Sequence, residues 1–405
     1  ARQMGVSEAA DTPAAKQTPL KDWNALLYDR DACVLCMRCV NICSDVTGCA
    51  ALEVTARGHK AHVSPKDEPL DCDFCGICVD VCPVGAIKDK SFKYSLKVWE
   101  LDYINASCAF CSAGCQINYG IHDNIIHRTR HSGEGYTCSK GRYGFKFLES
   151  GKRVKEPLIK KHGAFVKTGW REAMEAVHNA ITKYGAENCL IAAGAWLSNE
   201  ELLNFKSLAD KTGMMFITEA ELYFGKFMRL FQDKFGGYKS IGTLKDIEKS
   251  DMIFVVGADF SRENIGVKWN VMKGIIQNDA KAVTIGLHPY DYGERVFLNI
   301  TADYADFAGV FEKIKNSDEA VYANLRKHIE ASKKISVIAG NEYFQGETDP
   351  QSILAFADFI GEEKLSAFIP VTDKLNYGGQ LHIGGNTLEE VTEKAPKAVI
   401  AAAIN

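Results

Sequence analysis

From residue 153 onward, short apolar runs alternate with longer stretches in which apolar residues recur at helical spacing. Short apolar runs predict buried strands, and helical spacing of apolar positions predicts amphipathic helices. The predicted strands are residues 188–193, 214–218, 251–256, 282–285, 335–339, 367–371 and 398–402. The predicted helices are residues 170–183, 199–211, 267–277, 304–316, 320–331 and 350–360. Apolar strands separated by helices are typical of a parallel sheet covered on both faces, so this region predicts an α/β fold.

Two glycine-containing turns follow predicted strands of this sheet. They read Gly257-Ala258-Asp259 and Gly340-Asn341-Glu342. Parallel sheets bind ligands at the carboxyl ends of their strands, so both turns are candidate binding sites. Neither turn has the GxGxxG pattern of a dinucleotide site. Glycine turns that let helices pack closely explain both segments equally well.

The first 152 residues have a different pattern, made of short elements and loops. Residues 1–27 predict a short helix over residues 3–10, followed by a linker. Residues 28–97 contain two similar halves, each a loop followed by a short helix, at residues 38–44 and 77–82, with a strand starting after residue 84. Residues 116–119 and 125–129 predict a hairpin with its turn at His122-Asp123-Asn124. This part of the chain therefore predicts small α+β modules.

Composition excludes several classes of protein. The chain has 405 residues, which is enough for two or three domains, and its formal net charge of −4 gives no basic footprint for nucleic acid. No apolar run is long enough for a membrane helix, and no secretory signal is visible. Thirteen of the fourteen cysteines lie before residue 140. A disulfide framework would not cluster in this way in a chain of this size, so the cysteines are candidate metal ligands.

Eight cysteines form two copies of one spacing. The copies are Cys33-x2-Cys36-x2-Cys39-x3-Cys43 and Cys72-x2-Cys75-x2-Cys78-x3-Cys82-Pro83. This spacing is known from bacterial two-cluster ferredoxins, in which the fourth cysteine of each run ligates the other cluster. It predicts two [4Fe–4S] clusters, one held by Cys33, Cys36, Cys39 and Cys82 and one held by Cys72, Cys75, Cys78 and Cys43. Zinc is the main alternative for CxxC pairs, but two consecutive four-cysteine runs favour iron–sulfur clusters. Ser44 follows Cys43 where the pattern has proline, which leaves the ligand set intact.

A third set of four cysteines has a different spacing. It consists of Cys108-x2-Cys111-x3-Cys115 and, further along the chain, Cys138. By itself this pattern would leave zinc open. Because it directly follows a two-cluster module, a third [4Fe–4S] cluster is favoured.

The order of these motifs resembles a known superfamily. A two-cluster module, then CxxCxxxC, then Cys138-Ser139-Lys140-Gly141-Arg142-Tyr143-Gly144 and a passage containing Glu156-Pro157-Leu158-Ile159 resembles the molybdopterin oxidoreductases. The combination is similar to the G-type iron–sulfur subunit of respiratory complex I, the NADH-quinone oxidoreductase, with formate dehydrogenase alpha subunits as the nearest alternative. The resemblance implies a two-[4Fe–4S] ferredoxin-like domain at residues 28–97 and a third-cluster domain of molybdopterin-oxidoreductase N-terminal type at 98–152. It also implies a parallel-sheet α/β molybdopterin-oxidoreductase-like region at 153–405. Relatives continue at both ends, so we expect residues 1–27 to be a linker after a missing upstream segment, and residues 153–405 to be incomplete.

The resemblance also implies a function. The chain would be an electron-transfer subunit that passes single electrons along three [4Fe–4S] clusters. Its partners would be a flavin- or ferredoxin-side donor and a downstream iron–sulfur subunit. The expected location is the peripheral arm of a complex on the cytoplasmic side of the inner membrane, with only indirect membrane contact and no nucleic acid. Lys140 matches the family lysine between the third cluster and the pterin and is a candidate cofactor-binding residue; a solvated surface lysine is the alternative.

A catalytic role for this chain is the competing hypothesis. Formate dehydrogenases hold molybdenum or tungsten through a cysteine or selenocysteine near a histidine, early in the α/β region. The corresponding stretch, residues 219–225, contains neither. Cys189 lies on a predicted core strand, where a buried cysteine acts as a small apolar residue. We therefore expect no molybdenum and no catalytic residue, so the chain would be part of an enzyme only as a subunit of an oxidoreductase complex. A third hypothesis is that the clusters only brace the fold.

Overall fold

A computed structural model describes residues 18–133, 136–237, 241–260, 263–289, 295–345 and 349–403. The helix predicted over residues 3–10 lies outside these ranges. The described chain forms two small antiparallel modules, a short hairpin and an α/β region with two parallel sheets.

The first module contains both cysteine runs. Its elements are β1 (Lys21–Trp23), β2 (Leu26–Tyr28), α1 (Arg38–Asp45), β3 (Leu52–Thr55), β4 (His62–Pro65), α2 (Ile77–Asp80) and β5 (Ile87–Asp89). β1, β2 and β5 form one antiparallel sheet, and β3 pairs with β4. The prediction of a linker up to residue 27 is wrong for β1 and β2. These strands form a hairpin because Trp23 and Tyr28 are buried and stack on each other, with ring centroids 4.7 Å apart.

The second module holds the third cysteine set. It consists of β6 (Asp102–Ser107), β7 (Gln116–His122), β8 (Ile125–His131) and α3 (Ser139–Tyr143). The strands form an antiparallel sheet in the order β6-β7-β8. The predicted hairpin is confirmed, and its turn residues Asp123 and Asn124 both have positive φ. β6 was not predicted.

Two parallel sheets replace the single one that the pattern predicted. After the hairpin of β9 (Leu158–Lys161) and β10 (Ala164–Lys167), the strands are β11 (Cys189–Ala193), β12 (Met215–Thr218), β13 (Met252–Val256), β14 (Lys281–Gly286), β15 (Leu298–Thr301), β16 (Ile335–Ala339), β17 (Leu365–Pro370) and β18 (Ala398–Ala402). The small parallel sheet has the order β12-β11-β18, and the large parallel sheet has the order β15-β14-β13-β16-β17. All seven predicted strands are present with small shifts at their ends. β15 is an additional edge strand.

Helices cover these sheets. They are α4 (Trp170–Tyr184), α5 (Asn199–Thr212), α6 (Glu219–Tyr223), α7 (Gly225–Phe235), α8 (Leu244–Glu248), α9 (Ile265–Asn278), α10 (Phe307–Asn316), α11 (Ala320–Ala331), α12 (Asn341–Gln345), α13 (Pro350–Ile360), α14 (Tyr377–Ile383) and α15 (Leu388–Lys394). Every residue of β13 and β16 is buried, because helices pack on both faces of the large parallel sheet. This explains why these strands are apolar without alternation. Among the described residues, no helix combines the length and apolar character that a membrane crossing requires.

The two glycine turns lie side by side at the carboxyl edge of the large parallel sheet. Val256 of β13 pairs with Ala339 of β16, and the Gly340 amide donates to the Val256 carbonyl over 2.9 Å. Gly257 has φ +59°, and a Cβ there would lie 2.4 Å from the Tyr343 amide nitrogen. Close packing therefore requires glycine at this turn.

Candidate metal centres

The first predicted ligand set lines one cavity. Cys33, Cys36 and Cys39 of the first run meet Cys82 of the second run there, although Cys82 is distant in sequence. Cys36 is exposed and Cys39 is buried, so this site reaches the surface on one side. The Ala86 amide donates to the Cys82 Sγ over 3.2 Å. Burial raises the pKa of the Cys39 thiol to about 11.

The second predicted ligand set lines a neighbouring cavity. Cys43 of the first run meets Cys72, Cys75 and Cys78 of the second run. The Phe74 amide donates to the Cys72 Sγ over 3.3 Å. Burial raises the pKa of the Cys72 and Cys75 thiols to about 12 and that of Cys78 well above its usual value.

A fifth thiol, Cys49, also lines the second cavity. Its side chain hydrogen-bonds to Cys43, and this contact lowers the pKa of Cys43 while it raises that of Cys49. The Ala51 amide donates to the same Cys43 sulfur over 3.4 Å. Sequence spacing gave no role for Cys49. The structure makes it a hydrogen-bond donor to a predicted ligand.

The internal repeat is visible in the backbone. In the first run Leu35 and Met37 have positive φ, and in the second run Phe74 and Gly76 do. These positions are equivalent, and each pair is followed by a short helix, α1 or α2. The left-handed residues turn the loop so that amides face the thiols, as the Phe74 contact to Cys72 shows.

The third predicted ligand set lies where α3 meets the loop between β6 and β7. The loop is closed by the Cys108 amide, which donates to the Cys115 carbonyl over 2.8 Å. Cys138 directly precedes α3. The pKa of Cys111 is raised to about 12, mainly by burial and also by the neighbouring thiols Cys138, Cys115 and Cys108. The structure thus brings all four sulfur atoms close enough to interact.

The chemistry of these three groups fits iron–sulfur clusters. All fourteen cysteines lie among the described residues and all are free thiols. Burial favours the neutral thiol, whereas iron binding requires the thiolate. Bound iron supplies the positive charge that stabilises buried thiolates, and amide donors to sulfur are a usual feature of such sites.

Lys140 is exposed on α3 and acts electrostatically on the partly buried carboxyl group of Glu263. Burial raises the pKa of Glu263 to about 7, and the Lys140 charge opposes this shift. Glu263 also accepts a hydrogen bond from the Asn341 side chain over 2.8 Å. The Lys140 charge therefore acts on a carboxyl group that is hydrogen-bonded to the turn after β16.

Three further side chains converge at this edge of the large parallel sheet. Asp259, His288 and Glu342 bring their ligand atoms within 4.8 Å of one another. They follow the neighbouring strands β13, β14 and β16, so the two predicted turns do meet. Similar groups of side chains are common without a metal, and we assign no ion to this one.

The structure places Cys189 in the core. It is 1% exposed on β11, its thiol donates to the Gly185 carbonyl over 3.2 Å, and burial raises its pKa. Residues 219–225, which the resemblance matched to the metal-ligand stretch of formate dehydrogenases, begin with α6. Glu219 at its start is buried and accepts a hydrogen bond from the Ala195 amide over 2.8 Å.

Comparison with known proteins gives two matching family models. Residues 25–88 match the ferredoxin-like domain of NADH-quinone oxidoreductase subunit 3, and residues 153–346 match the molybdopterin oxidoreductase family. The chain is 28% identical to the NADPH-Fe(3+) oxidoreductase subunit alpha of Geobacter sulfurreducens, over 90% of this chain and 44% of that protein. It is 27% identical to a G-type NADH-quinone oxidoreductase subunit of Rhizobium meliloti, over 59% of this chain and 29% of that protein.

The chain resembles the G-type subunit of NADH-quinone oxidoreductase. The predicted resemblance and the predicted fold class are confirmed. A further relative, NADH-quinone oxidoreductase subunit 3 of Thermus thermophilus, is 29% identical over 48% of this chain and 25% of that protein. The chain therefore spans less than half the length of these three curated relatives.

Proposed function

We propose that this chain is an iron–sulfur electron-transfer subunit of a complex I-like NADH- or ferredoxin:quinone oxidoreductase. It would pass single electrons along three [4Fe–4S] clusters. The observation that carries this proposal is the arrangement of twelve cysteines in three groups of four. The ligands would be Cys33, Cys36, Cys39 and Cys82 for the first cluster, Cys43, Cys72, Cys75 and Cys78 for the second, and Cys108, Cys111, Cys115 and Cys138 for the third.

Apolar packing that connects the three cysteine groups supports a continuous path for electrons. The first two cavities share one apolar core, in which Cys39 and Cys78 lie together. The second and third groups are joined by another apolar cluster that contains Cys75, Cys138 and Trp269. Each cluster, when bound, accepts and releases one electron. The exposed Cys36 would place the first site nearest to a partner protein.

The residues of this chain would set the reduction potential of each site. Amides of Ala86, Phe74 and Ala51 donate to ligand sulfurs, and such hydrogen bonds stabilise the reduced state. Apolar burial acts in the opposite direction, because reduction adds negative charge in a medium of low polarity. Lys140 would lie between the third cluster and the polar side chains at the carboxyl edge of the large parallel sheet.

A formate dehydrogenase-like catalytic subunit is the alternative function. The sequence of α6 offers no thiol, and Cys189 is enclosed in the core. We propose that the α/β region binds no molybdenum or tungsten and that no residue of this chain is catalytic. The region would instead provide a rigid surface for other subunits. Those partners would be a flavin- or ferredoxin-side donor and a downstream iron–sulfur subunit, in the peripheral arm on the cytoplasmic side of the inner membrane.

Elemental analysis of protein prepared without oxygen tests this proposal. We expect about twelve irons and about twelve sulfides per chain. Cys189→Ser is the matched control, because it removes a buried thiol outside the three groups and should leave the iron content unchanged. About four irons per chain, or stoichiometric zinc, would contradict the ligand assignment. Stoichiometric molybdenum or tungsten with formate oxidation would favour the catalytic alternative, and identification of the subunits that co-purify would test the complex.

A further inference from the structure

We propose that Arg142 sets the reduction potential of the second cluster and fastens the third-cluster domain to the loop that holds it. The proposal rests on the function proposed above, since it assumes a cluster at Cys43, Cys72, Cys75 and Cys78. Arg142 belongs to α3, four residues after the third-cluster cysteine Cys138. Its side chain nevertheless reaches the second-cluster loop.

The guanidinium is buried and held at several atoms. Arg142 is 2% exposed, and its Nε donates to the Cys75 carbonyl over 2.9 Å. Nη2 forms a hydrogen-bonded ion pair with Asp80. A second carboxylate, Asp89, lies 3.9 Å from Nη1. A buried cation with this many contacts has little freedom to move, so its charge has a fixed position relative to the loop.

The backbone on both sides is shaped for this side chain. Gly76 follows Cys75, and a Cβ at Gly76 would lie 2.2 Å from the Arg142 Nε. On the other side, the Thr129 hydroxyl hydrogen-bonds to the carbonyls of Gly141 and Arg142, at 3.0 and 2.7 Å. The second-cluster loop therefore has no side chain between its backbone at Gly76 and the guanidinium. The hydrogen bonds from Thr129 of β8 fix the position of α3, which carries Arg142.

One donor of the guanidinium is buried and unpaired among the described residues. Within the part of the chain that the structure describes, the buried Nη1 has no hydrogen-bond partner. A buried charged donor without an acceptor is costly, and Asp89 is too distant for a hydrogen bond. This donor belongs to the side chain whose Nε donates to the carbonyl of Cys75, a predicted ligand of the second cluster. The guanidinium also lies against Gly76, whose backbone lines the second cavity.

A fixed positive charge near the cluster stabilises its reduced state, which carries one additional electron. Reduction adds one electron to the cluster, so a nearby buried positive charge stabilises the reduced form and raises the potential. Asp80 offsets part of this effect, because its carboxylate pairs with the same guanidinium. Removing the arginine charge should lower the potential of the second cluster, and removing the aspartate charge should raise it.

Anaerobic redox titration of the full chain, followed by low-temperature EPR, tests the proposal. In Arg142→Gln the reduced-to-oxidised ratio of the second cluster at a fixed ambient potential should fall about tenfold, which corresponds to about 59 mV for one electron. Arg142→Lys keeps the charge and should retain most of the wild-type potential. The matched control is Arg326→Gln, which removes an arginine that caps the Ile314 and Ser317 carbonyls in the α/β region. The control should leave all three potentials unchanged.

An intact second cluster with wild-type potential in Arg142→Gln would overturn the proposal. If Arg142→Gln loses the second cluster, the potential of that cluster in Asp80→Asn tests the proposal instead. A second-cluster potential raised in Asp80→Asn supports the proposal, and an unchanged one overturns it, because the charges of the pair would then not reach the cluster. Wild-type protein with fewer than about twelve irons would contradict the proposed function itself, so the two failures are distinguishable.

Discussion

The partly buried carboxyl group of Glu263 gives a prediction with a defined sign and size. Its pKa is raised from 4.5 to about 7, mainly by burial and also by the charges of Asp373 and Asp259, while Asn341 and Lys140 oppose the shift. In the unfolded chain this carboxyl ionises near 4.5, so between about pH 4.5 and pH 7 the folded state binds more protons. The contribution of Glu263 to stability is therefore fully present below about pH 4.5. This stabilising contribution is lost as the pH rises toward 7. Above that pH, Glu263 causes no further change in the free energy of unfolding.

The size of this loss follows from the shift. A difference of about 2.5 pKa units, at about 1.36 kcal/mol per unit, gives an upper limit of about 3 kcal/mol. Solvent near the partly exposed carboxyl reduces this value. Glu263→Gln removes the ionisable group and should be more stable than wild type above about pH 7, by about 1–3 kcal/mol.

Urea unfolding at about pH 5 and about pH 8, under anaerobic conditions, measures the effect. The difference between variant and wild type should be small at the lower pH and should favour the variant at the higher one. Glu393→Gln, an exposed position on α15, controls for the chemical change itself. If wild type and Glu263→Gln show the same dependence of unfolding free energy on pH, the carboxyl is not held in a buried, neutral state and the reasoning fails.

Three further outcomes are expected. Cys43→Ser should impair the second cluster, because Cys43 lines that cavity; loss of the first cluster's EPR signal instead would show that the pairing is wrong. Gly257→Ala should destabilise the protein by at least about 1 kcal/mol, since φ is positive and the added Cβ would approach the Tyr343 amide; an unchanged thermal midpoint would refute this. Ser198→Ala should cost about 1 kcal/mol in urea unfolding, because Ser198 caps α5 by accepting from the Glu201 amide over 3.2 Å, and Ser198→Thr should recover most of that loss.

Local patterns were sufficient to predict much of this molecule. The grouping of Cys82 with the first run was predicted from the known pattern of two-cluster ferredoxins, and these four cysteines line one cavity in the structure. The apolar strands β13 and β16 were predictable because burial on both faces leaves no polar position. The helix α7 was missed, although Phe227, Phe231 and Phe235 recur at helical spacing.

Long-range contacts could not be predicted in this way. β18 pairs with β11, the first strand of the two parallel sheets, and this pairing divides the strands into two sheets. Arg142 and Cys75 are 67 positions apart, and no periodicity connects them. The pKa of Glu263 likewise depends on Asp373 and Lys140, which come from distant parts of the chain. Such features arise when separate elements pack, so a single sequence carries no local signal for them.

The exchange of one cysteine between the two runs has a consequence for biosynthesis. The first cavity includes Cys82, and the second includes Cys43, so neither set of thiols is complete until both runs have left the ribosome. A nascent chain that ends between the runs would expose Cys33, Cys36, Cys39 and Cys43 with no complete site to fill. Insertion of the proposed clusters would therefore begin only once the second run has been synthesised, and until then the thiols already made would need protection from oxidation.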